Sequence, residues 1–290
     1  MRRILLAMSL FVQDVSAEQA VMTWLIPDLP PISIRSNDKP GSGIVDKEIA
    51  YIVAHWPQVE HRFVYANLKR SWAMLKAGQP ACYCFTLSNP ERLKSAYIVE
   101  TGVLPPLHLL ARSEVAGALP LNARQEVDLP LLLSKHKLRG LISEKRSFGK
   151  QLDNMLRQRP ADAPLTLATI SNYGESIFAM MLLNRVDYTI DYDFILSYYQ
   201  SRNDKLAAVR SFPIASNGEP IKFGFACPKT AWGKATARKI DDILGTREGA
   251  QAMRESVEAW LSEYTRRRYA DQFGAFYRRR EKPMLHLDGP

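Results

Sequence analysis

The sequence contains no apolar run long enough to cross a membrane, no internal repeat and no low-complexity segment. A transmembrane helix needs about 20 consecutive apolar residues, and the apolar run at residues 4–12 (ILLAMSLFV) is far shorter. Hydrophobic residues make up 46% of the 290 residues and charged residues 24%, as in an ordinary globular protein. We therefore expect a soluble mature protein with one large domain or two smaller ones.

The sequence also lacks the motifs of common enzymes. It has no Gly-x-Ser-x-Gly, no His-Glu-x-x-His and no phosphate-binding loop. His61, His108 and His136 lie in the body of the chain, but none belongs to a catalytic motif. These absences favour a protein that is not an enzyme and that binds no cofactor.

Cysteine is scarce, with residues only at positions 82, 84 and 227. Cys82 and Cys84 are too close in sequence to form half of a zinc ribbon, and Cys227 has no Cys or His near it in sequence. We therefore expect no metal site. Outside the cytoplasm thiols tend to pair, so an odd number predicts one free thiol or a partly reduced set.

Acidic residues are fewer than basic ones, 30 against 39, which gives a net charge of +9. The excess is concentrated late, in the Arg triplets at 266–268 and 278–280, which have aromatic residues between them. Such a pattern can bind nucleic acid. It is also typical of the end of an amphipathic helix followed by a solvated tail. We favour the second interpretation and expect no nucleic-acid partner.

The N-terminus has the features of an export signal. Arg2 and Arg3 precede the short apolar run, and Val15-Ser16-Ala17 has the small-x-small pattern that a signal peptidase accepts. We expect cleavage near Ala17 and a soluble periplasmic protein; the alternative is a buried N-terminal strand or helix. No Cys follows the cleavage point, so we expect no lipoprotein anchor.

Strands and helices alternate along the first third of the chain. Apolar runs at 21–26, 61–65 and 81–87 predict strands. Between them, the spacing predicts a helix capped by Asp46 and a helix over 67–77 that ends at Gly78. The β-α-β-α-β order predicts a parallel sheet covered by helices.

The same alternation begins again further along the chain. Strands are predicted at 107–112, 138–143, 165–170, 186–190 and 221–227, and helices at 148–157, 175–183 and, in longer form, from about 233 to 264. Two α/β units with a late return segment predict two lobes and two crossovers. Ligands of open α/β sheets bind at the carboxyl ends of the strands, and here two such edges would face each other.

Several short motifs resemble those of one protein family and occur in the same order. They are Pro30-Pro31 with Gly43-Ile44-Val45-Asp46, Ser71-Trp72 through Gly78, Ser88-Asn89-Pro90-Glu91-Arg92, Asn184-Arg185-Val186-Asp187, and the return segment Phe223 to Lys229. Over nearly the whole mature chain, the sequence resembles family 3 of the bacterial extracellular solute-binding proteins, which serve amino-acid importers.

The resemblance implies an α/β, two-lobed type II periplasmic-binding-protein fold with two crossovers between the lobes. It implies that a signal peptide of residues 1–17 is followed by one lobe of 18–107 and 216–290 and another of 108–215. It further implies a monomer that captures a small, carboxylate-bearing, amino-acid-like ligand. The partner would be a membrane permease of an ABC importer or a sensor.

In the family, the Arg of the third motif clamps the carboxylate of the ligand, which implies this role for Arg92. Arginine suits it because the planar guanidinium matches a carboxylate with two hydrogen bonds. Thr86 and Ser88, at the end of the preceding strand, are expected to supply hydroxyl and backbone donors. Leu87 stands where the family often has a Ser, so the usual hydroxyl contact is missing there.

The second lobe is expected to contact the same ligand from a helix start and a strand end. Ser147 and Phe148 lie where a helix N-terminus would face the carboxylate, and such a terminus favours an anion. Asp191 is the better candidate for the ammonium group of the ligand, with Tyr192 as the alternative. Alternation along a strand predicts that only one of these two enters the cleft.

Ile32 replaces the aromatic residue that the family has after Pro-Pro. A stacking wall is therefore either absent or formed by Trp24, Tyr65 or Phe148. The ligand then need not be a standard amino acid.

The resemblance also implies a disulfide, because in this fold the return strand lies beside the third strand. Cys227 on the return strand would then come close to Cys82 or Cys84, both of which point to the same face of the third strand. We prefer Cys82, which lies deeper in the sheet.

Two other functions are compatible with the sequence. Some relatives of this fold are enzymes that dehydrate cyclic acids, and such an enzyme would need a general acid or base in the cleft. The second is an envelope-associated protein that has lost ligand binding. Leu87 and Ile32, which differ from the residues that the family usually has at these positions, agree with it. Similarity of fold does not separate these functions from solute binding.

Overall fold

Two five-stranded sheets form the framework of the computed structural model, which describes residues 21–285 except 37–38, 89, 136, 145, 147 and 170–172. The strands are β1 (Val21–Ile26), β2 (Arg35–Ser36), β3 (Lys39–Pro40), β4 (Glu60–Tyr65), β5 (Ala81–Leu87), β6 (Ala96–Leu104), β7 (His108–Arg112), β8 (Gly140–Ser143), β9 (Leu165–Ala168), β10 (Tyr188–Asp191), β11 (Val209–Pro213) and β12 (Ile221–Pro228). The predicted signal peptide lies outside the described residues.

The helices are α1 (Ile44–Ala54), α2 (Leu68–Lys76), α3 (Pro90–Ser95), α4 (Leu129–Lys135), α5 (Lys150–Arg157), α6 (Tyr173–Leu182), α7 (Asp193–Gln200), α8 (Ala231–Leu244), α9 (Arg247–Glu258), α10 (Glu263–Arg268) and α11 (Ala270–Arg280). Within the part of the chain that the structure describes, no helix combines the length and apolar character needed to span a membrane.

The first sheet has the strand order β4-β1-β5-β12-β6. Strand β1 pairs in parallel with β4 and β5, whereas β12 runs antiparallel to both β5 and β6. Helices α8, α9 and α11 pack against β12 or β6, and α2 packs against β5. The apolar sides of this sheet are thereby buried, including the fully enclosed Trp24.

The second sheet has the order β11-β7-β10-β8-β9. Strands β8, β9 and β10 are parallel neighbours, while β7 pairs antiparallel with β10 and β11. The chain passes from the first sheet to the second between β6 and β7 and returns between β11 and β12. The predicted two-lobed α/β fold with two crossovers is therefore confirmed.

Strands β6 and β11 are not among the predicted strands, although each adjoins a crossover. Both lie at the edge of a sheet and are held by antiparallel pairing with a strand of the same sheet, β12 for β6 and β7 for β11. This pairing depends on contacts between segments far apart in sequence, which local patterns do not reveal.

The loop after β1 is fixed by a buried carboxylate. Asp46 is wholly buried, and its oxygens accept hydrogen bonds from the Ser33 hydroxyl (2.9 Å) and from the backbone N–H groups of Ile34 (2.7 Å) and Gly43 (2.9 Å). The helix begins at Ile44, so Asp46 acts from the first turn by reaching back to the preceding N–H. The segment that carries residues 29–32 is thereby held at the edge of the sheet.

The prediction of a solvated C-terminal tail is wrong for Arg280. This residue ends α11 with 0% of its side chain exposed, and its Nη1 lies 2.6 Å from Asp241 Oδ1. A buried guanidinium requires a charged partner, and the sequence does not show that α8 supplies one. The neighbouring Arg278 and Arg279 are exposed, as expected.

Candidate functional site

A cleft of about 1070 Å³ lies where the carboxyl ends of strands from both sheets meet. The first lobe contributes the loop after β1 and the end of β5, and the second contributes the ends of β8 and β10 together with α6 and α7. This is the position at which open α/β sheets bind their ligands. The cleft is therefore the candidate functional site.

The first lobe lines the cleft mainly with apolar side chains. Leu29, Pro30 and Ile32 come from the loop after β1, and Phe85 and Leu87 from the end of β5. Asp28 is the charged residue that this loop adds at the rim. The first-lobe wall therefore presents mainly aliphatic and aromatic surface to the cleft.

The second lobe places an ion pair in the cleft. Arg146, in the loop after β8, donates from Nη2 to Asp191 Oδ1 at 2.8 Å, and Asp191 is the last residue of β10. The same carboxylate oxygen accepts the backbone N–H of Tyr192 at 2.8 Å. The guanidinium carbon of Arg146 lies 5.3 Å from the ring centre of Phe148 and 5.7 Å from that of Tyr192. These contacts fix the direction of the guanidinium.

Aromatic rings from α6 and α7 continue the wall of the second lobe. Phe178 and Tyr199 have ring centres 5.1 Å apart, and Tyr198 meets Tyr199 edge to face at 5.2 Å. Tyr192 stacks on Phe194 at 4.9 Å. Burial raises the pKa of Tyr192 to about 12, so its hydroxyl is neutral and can serve as a hydrogen-bond donor.

Arg92 lies beside the cleft and does not belong to its lining. Its Nη1 donates to Thr86 Oγ1 at 2.9 Å and to the Leu87 carbonyl at 3.5 Å, and its guanidinium lies 5.7 Å from the ring centre of Trp72. Thr86 is wholly buried, and the Ser88 N–H donates to the Lys222 carbonyl at 2.9 Å. The structure thus brings Arg92 and Thr86 together at the strand end that Leu87 extends into the cleft.

The predicted residues of the second lobe are arranged differently from expectation. Asp191 and Tyr192 both line the cleft, because β10 ends at Asp191 and strand alternation does not extend to Tyr192. The prediction that only one of them enters is therefore wrong. Asp191, expected to hold an ammonium group, is already bound to a guanidinium.

At the start of α5, Phe148 is buried, and its N–H donates to Asp153 Oδ1 at 2.8 Å. A side chain of the helix itself thus accepts from an amide near this N-terminus. Ser147, the other residue predicted here, lies outside the described residues.

The sequence did not identify Arg146 as a site residue, and it named other aromatic residues for the stacking wall. Trp24 is buried in the core, where its Nε1–H donates to His61 at 3.1 Å, and Tyr65 contacts Arg35. The rings that do line the cleft are those of Phe85 and Tyr192 and those carried by α6 and α7. Arg146 adjoins the predicted helix start, which was the available signal.

Two α/β lobes, two crossovers and a cleft at the facing strand ends define the type II periplasmic-binding-protein fold. Neither a protein-family model nor a curated protein matches the sequence. Solved structures match with low identity. The probable amino-acid ABC transporter extracellular-binding protein of Bacillus subtilis is 14% identical with a TM-score of 0.62, over 85% of this chain and 99% of that one.

Two further structures show the range of proteins with this fold. A histidine kinase sensor domain with similarity to periplasmic binding proteins is 14% identical with a TM-score of 0.58, over 84% of this chain and 96% of that one. A structure described in connection with glutathione import in Streptococcus mutans is 9% identical with a TM-score of 0.63, over 84% of this chain and 95% of that one. At these identities the similarity shows the fold.

Proposed function

We propose that the protein is an exported solute-binding protein that captures a small carboxylate-bearing ligand between its two lobes and is not an enzyme. The observation that carries this proposal is the cleft itself, which joins the carboxyl ends of strands from both sheets. A cleft of this kind, mostly apolar and with a few convergent polar groups, is typical of small-molecule sites.

Two arginines support a carboxylate as the recognised group. Arg92 stands at the edge of the first lobe, and Arg146 faces the cleft from the second. A guanidinium keeps its charge at all physiological pH values and offers five donors in a planar arrangement. In this proposal Arg92 clamps the carboxylate after exchanging its contact with the Leu87 carbonyl for the ligand.

The proposed partner is a membrane permease of an ABC importer or a sensor kinase. Both kinds of protein occur among structures with this fold. The proposal includes cleavage of the signal peptide near Ala17, so sequencing the N-terminus of periplasmic protein should begin at Glu18. An intact Met1 in a cytoplasmic pool would contradict export.

The test of ligand capture is mass spectrometry of small molecules released from gently denatured, purified protein. We expect one carboxylic acid in roughly stoichiometric amount, and re-addition should raise the melting temperature. Ligand at 100 times its Kd stabilises the folded state by about 2.7 kcal/mol. A released molecule that the protein converts into another would support the enzyme alternative. Absence of any bound molecule, with no stabilisation by candidate acids, would support the non-binding alternative.

A further inference from the structure

The two walls of the cleft differ in polarity. The first lobe offers Leu29, Pro30, Ile32, Phe85 and Leu87. Apart from Asp28 in the same wall and the proposed clamp Arg92 beside it, these residues offer a ligand's polar groups no side-chain partner, which costs affinity. The first wall therefore favours a ligand whose body is apolar.

The second wall adds aromatic rings around Arg146, and a second arginine of the lining, Arg202, lies with its guanidinium carbon 4.5 Å from the ring centre of Tyr198. Arg146 is held by the Asp191 carboxylate and by the rings of Phe148 and Tyr192. Phe178, Tyr198 and Tyr199 extend the ring surface from this group along the cleft. An anion bound at Arg146 would thus have its remaining atoms against aromatic surface.

We propose that the ligand is a carboxylic acid with an apolar, ring-bearing body, and that Arg146 is a carboxylate anchor in the second lobe. The inference rests on the proposed capture function and names the ligand class for that site. Asp191 balances the charge of Arg146 and accepts the Tyr192 N–H with the same oxygen. Because Arg146 engages Asp191, we expect the carboxylate and the ring to decide binding, and an ammonium group would have to turn to Asp28 or Glu175, the other carboxylates of the lining.

Four probes separate the parts of this proposal in titration calorimetry. They are 3-phenylpropionate, which has the acid and the ring; L-phenylalanine, which adds an ammonium; 2-phenylethylamine, which lacks the acid; and L-glutamate, which lacks the ring. We expect 3-phenylpropionate to bind at least as tightly as L-phenylalanine. We expect the other two to bind at least about 100-fold more weakly, since each loses either the charge-assisted hydrogen bonds or the buried ring.

Variants test the anchor itself. Arg146→Gln should weaken binding of 3-phenylpropionate by about 10- to 100-fold, and Arg146→Lys, which keeps the charge without the planar fork, should recover part of the loss. The matched control is Arg210→Gln. Arg210 lies on β11 of the same sheet with its guanidinium 5.4 Å from the ring centre of Phe212, outside the cleft lining. This variant should bind as the wild type does.

A variant of the opposite wall tests the apolar body without touching the ion pair. Leu87→Ser should weaken 3-phenylpropionate by about 10-fold, because it removes apolar surface from the first lobe. Melting curves of all variants show whether each is folded. If Arg146→Gln does not fold, Arg146→Lys and Leu87→Ser still decide the question.

Several outcomes would overturn the proposal. Equal affinity in Arg146→Lys and wild type, with Arg146→Gln also unchanged if it folds, removes Arg146 as anchor. L-Phenylalanine that binds more than about 10-fold tighter than 3-phenylpropionate makes the ligand an amino acid and assigns the ammonium to Asp191. Tighter binding of L-glutamate, or release of a molecule without an apolar body, leaves the capture function intact but removes the ligand class. If no probe binds and no molecule is released, both proposals fail.

Discussion

Arg92 shows how a single residue can serve either the ligand or the fold. Its guanidinium donates to the buried Thr86 hydroxyl and lies against Trp72, at the edge of the cleft. Burial lowers the pKa of Arg92, but an arginine remains charged even so. The clamp role stays a prediction, and affinity and stability distinguish it from a structural one.

Replacing Arg92 with Ala is expected to lower ligand affinity by about 100-fold, because two charge-assisted hydrogen bonds are lost. Arg92→Lys restores the charge but not the fork and should recover only part of the binding. Calorimetry with the released ligand measures both. Stability should fall by about 1–3 kcal/mol in the Ala variant, since the Thr86 hydroxyl loses its donor.

Unchanged affinity together with reduced stability in Arg92→Ala would contradict the clamp. Arg92 would then act only in fixing the end of β5. Carboxylate recognition would in that case depend on the second lobe alone.

At the scale of elements, a disulfide joins β5 to β12. Cys82 and Cys227 form the bond, with Cα atoms 4.4 Å apart and a sequence separation of 145. The predicted pair is therefore confirmed. The link connects the third strand of the first sheet to the strand by which the chain returns from the second lobe, so it closes a loop that contains that lobe.

Loss of this bond should destabilise the protein substantially. Cys227→Ser is expected to lower the free energy of unfolding by about 2–4 kcal/mol, because the bond restricts the unfolded chain. Urea unfolding with and without reductant measures the change. The control is Cys84→Ala, which removes the buried free thiol and keeps the bond, so its unfolding should remain sensitive to reductant.

Peptide mapping without reduction gives an independent check of the pairing. One thiol should react, and only after unfolding, since burial raises the pKa of Cys84 well above its ordinary value and shields the sulfur. Three reactive thiols in exported protein would contradict the pairing.

At the scale of the whole molecule, the C-terminal segment connects the two lobes. Helix α11 packs on β6 and α9 of the first lobe. The preceding residues contact the second lobe through the Arg268–Glu126 ion pair and through Tyr269, whose hydroxyl lies 3.1 Å from His108 Nε2. His108 Nδ1 lies 2.7 Å from the Ser211 hydroxyl. His108 is buried at the start of β7, directly after the first crossover. Protonation of its ring therefore bears on the stability of the whole protein.

His108 predicts a loss of stability in acid. Burial lowers its pKa from 6.5 to about 4, with Arg268 acting in the same direction and Asp193 opposing. The unfolded chain takes up a proton as the pH falls through 6.5, whereas the folded protein does so only near pH 4. The free energy of unfolding should therefore fall across this range, by up to about 1.4 kcal/mol per pH unit. Urea unfolding between pH 4 and 7.5 measures it.

The variant His108→Asn isolates this contribution from that of Glu48. Burial raises the pKa of Glu48 from 4.5 to about 8, and a raised carboxyl pKa makes stability increase as the pH falls between those values. Glu48 is unchanged in the variant, so the difference between wild type and variant reports His108. A difference that stays constant from pH 7 to pH 4 would show that His108 does not titrate as described.

The sequence by itself determined the α/β class, the two lobes and the residues of β1 and β5, because apolar runs and turn residues are local signals. The family resemblance pointed to the end of β10 as part of the cleft, although it predicted that only one of Asp191 and Tyr192 enters, and it favoured Cys82 as the partner of Cys227. The edge strands β6 and β11, the buried Arg280–Asp241 pair and the aromatic wall were decided only by the tertiary structure. Each depends on which distant segments lie side by side, and local patterns do not encode that. The position of Arg146 in the cleft was likewise decided by the tertiary structure, because its partner Asp191 lies 45 positions away in sequence.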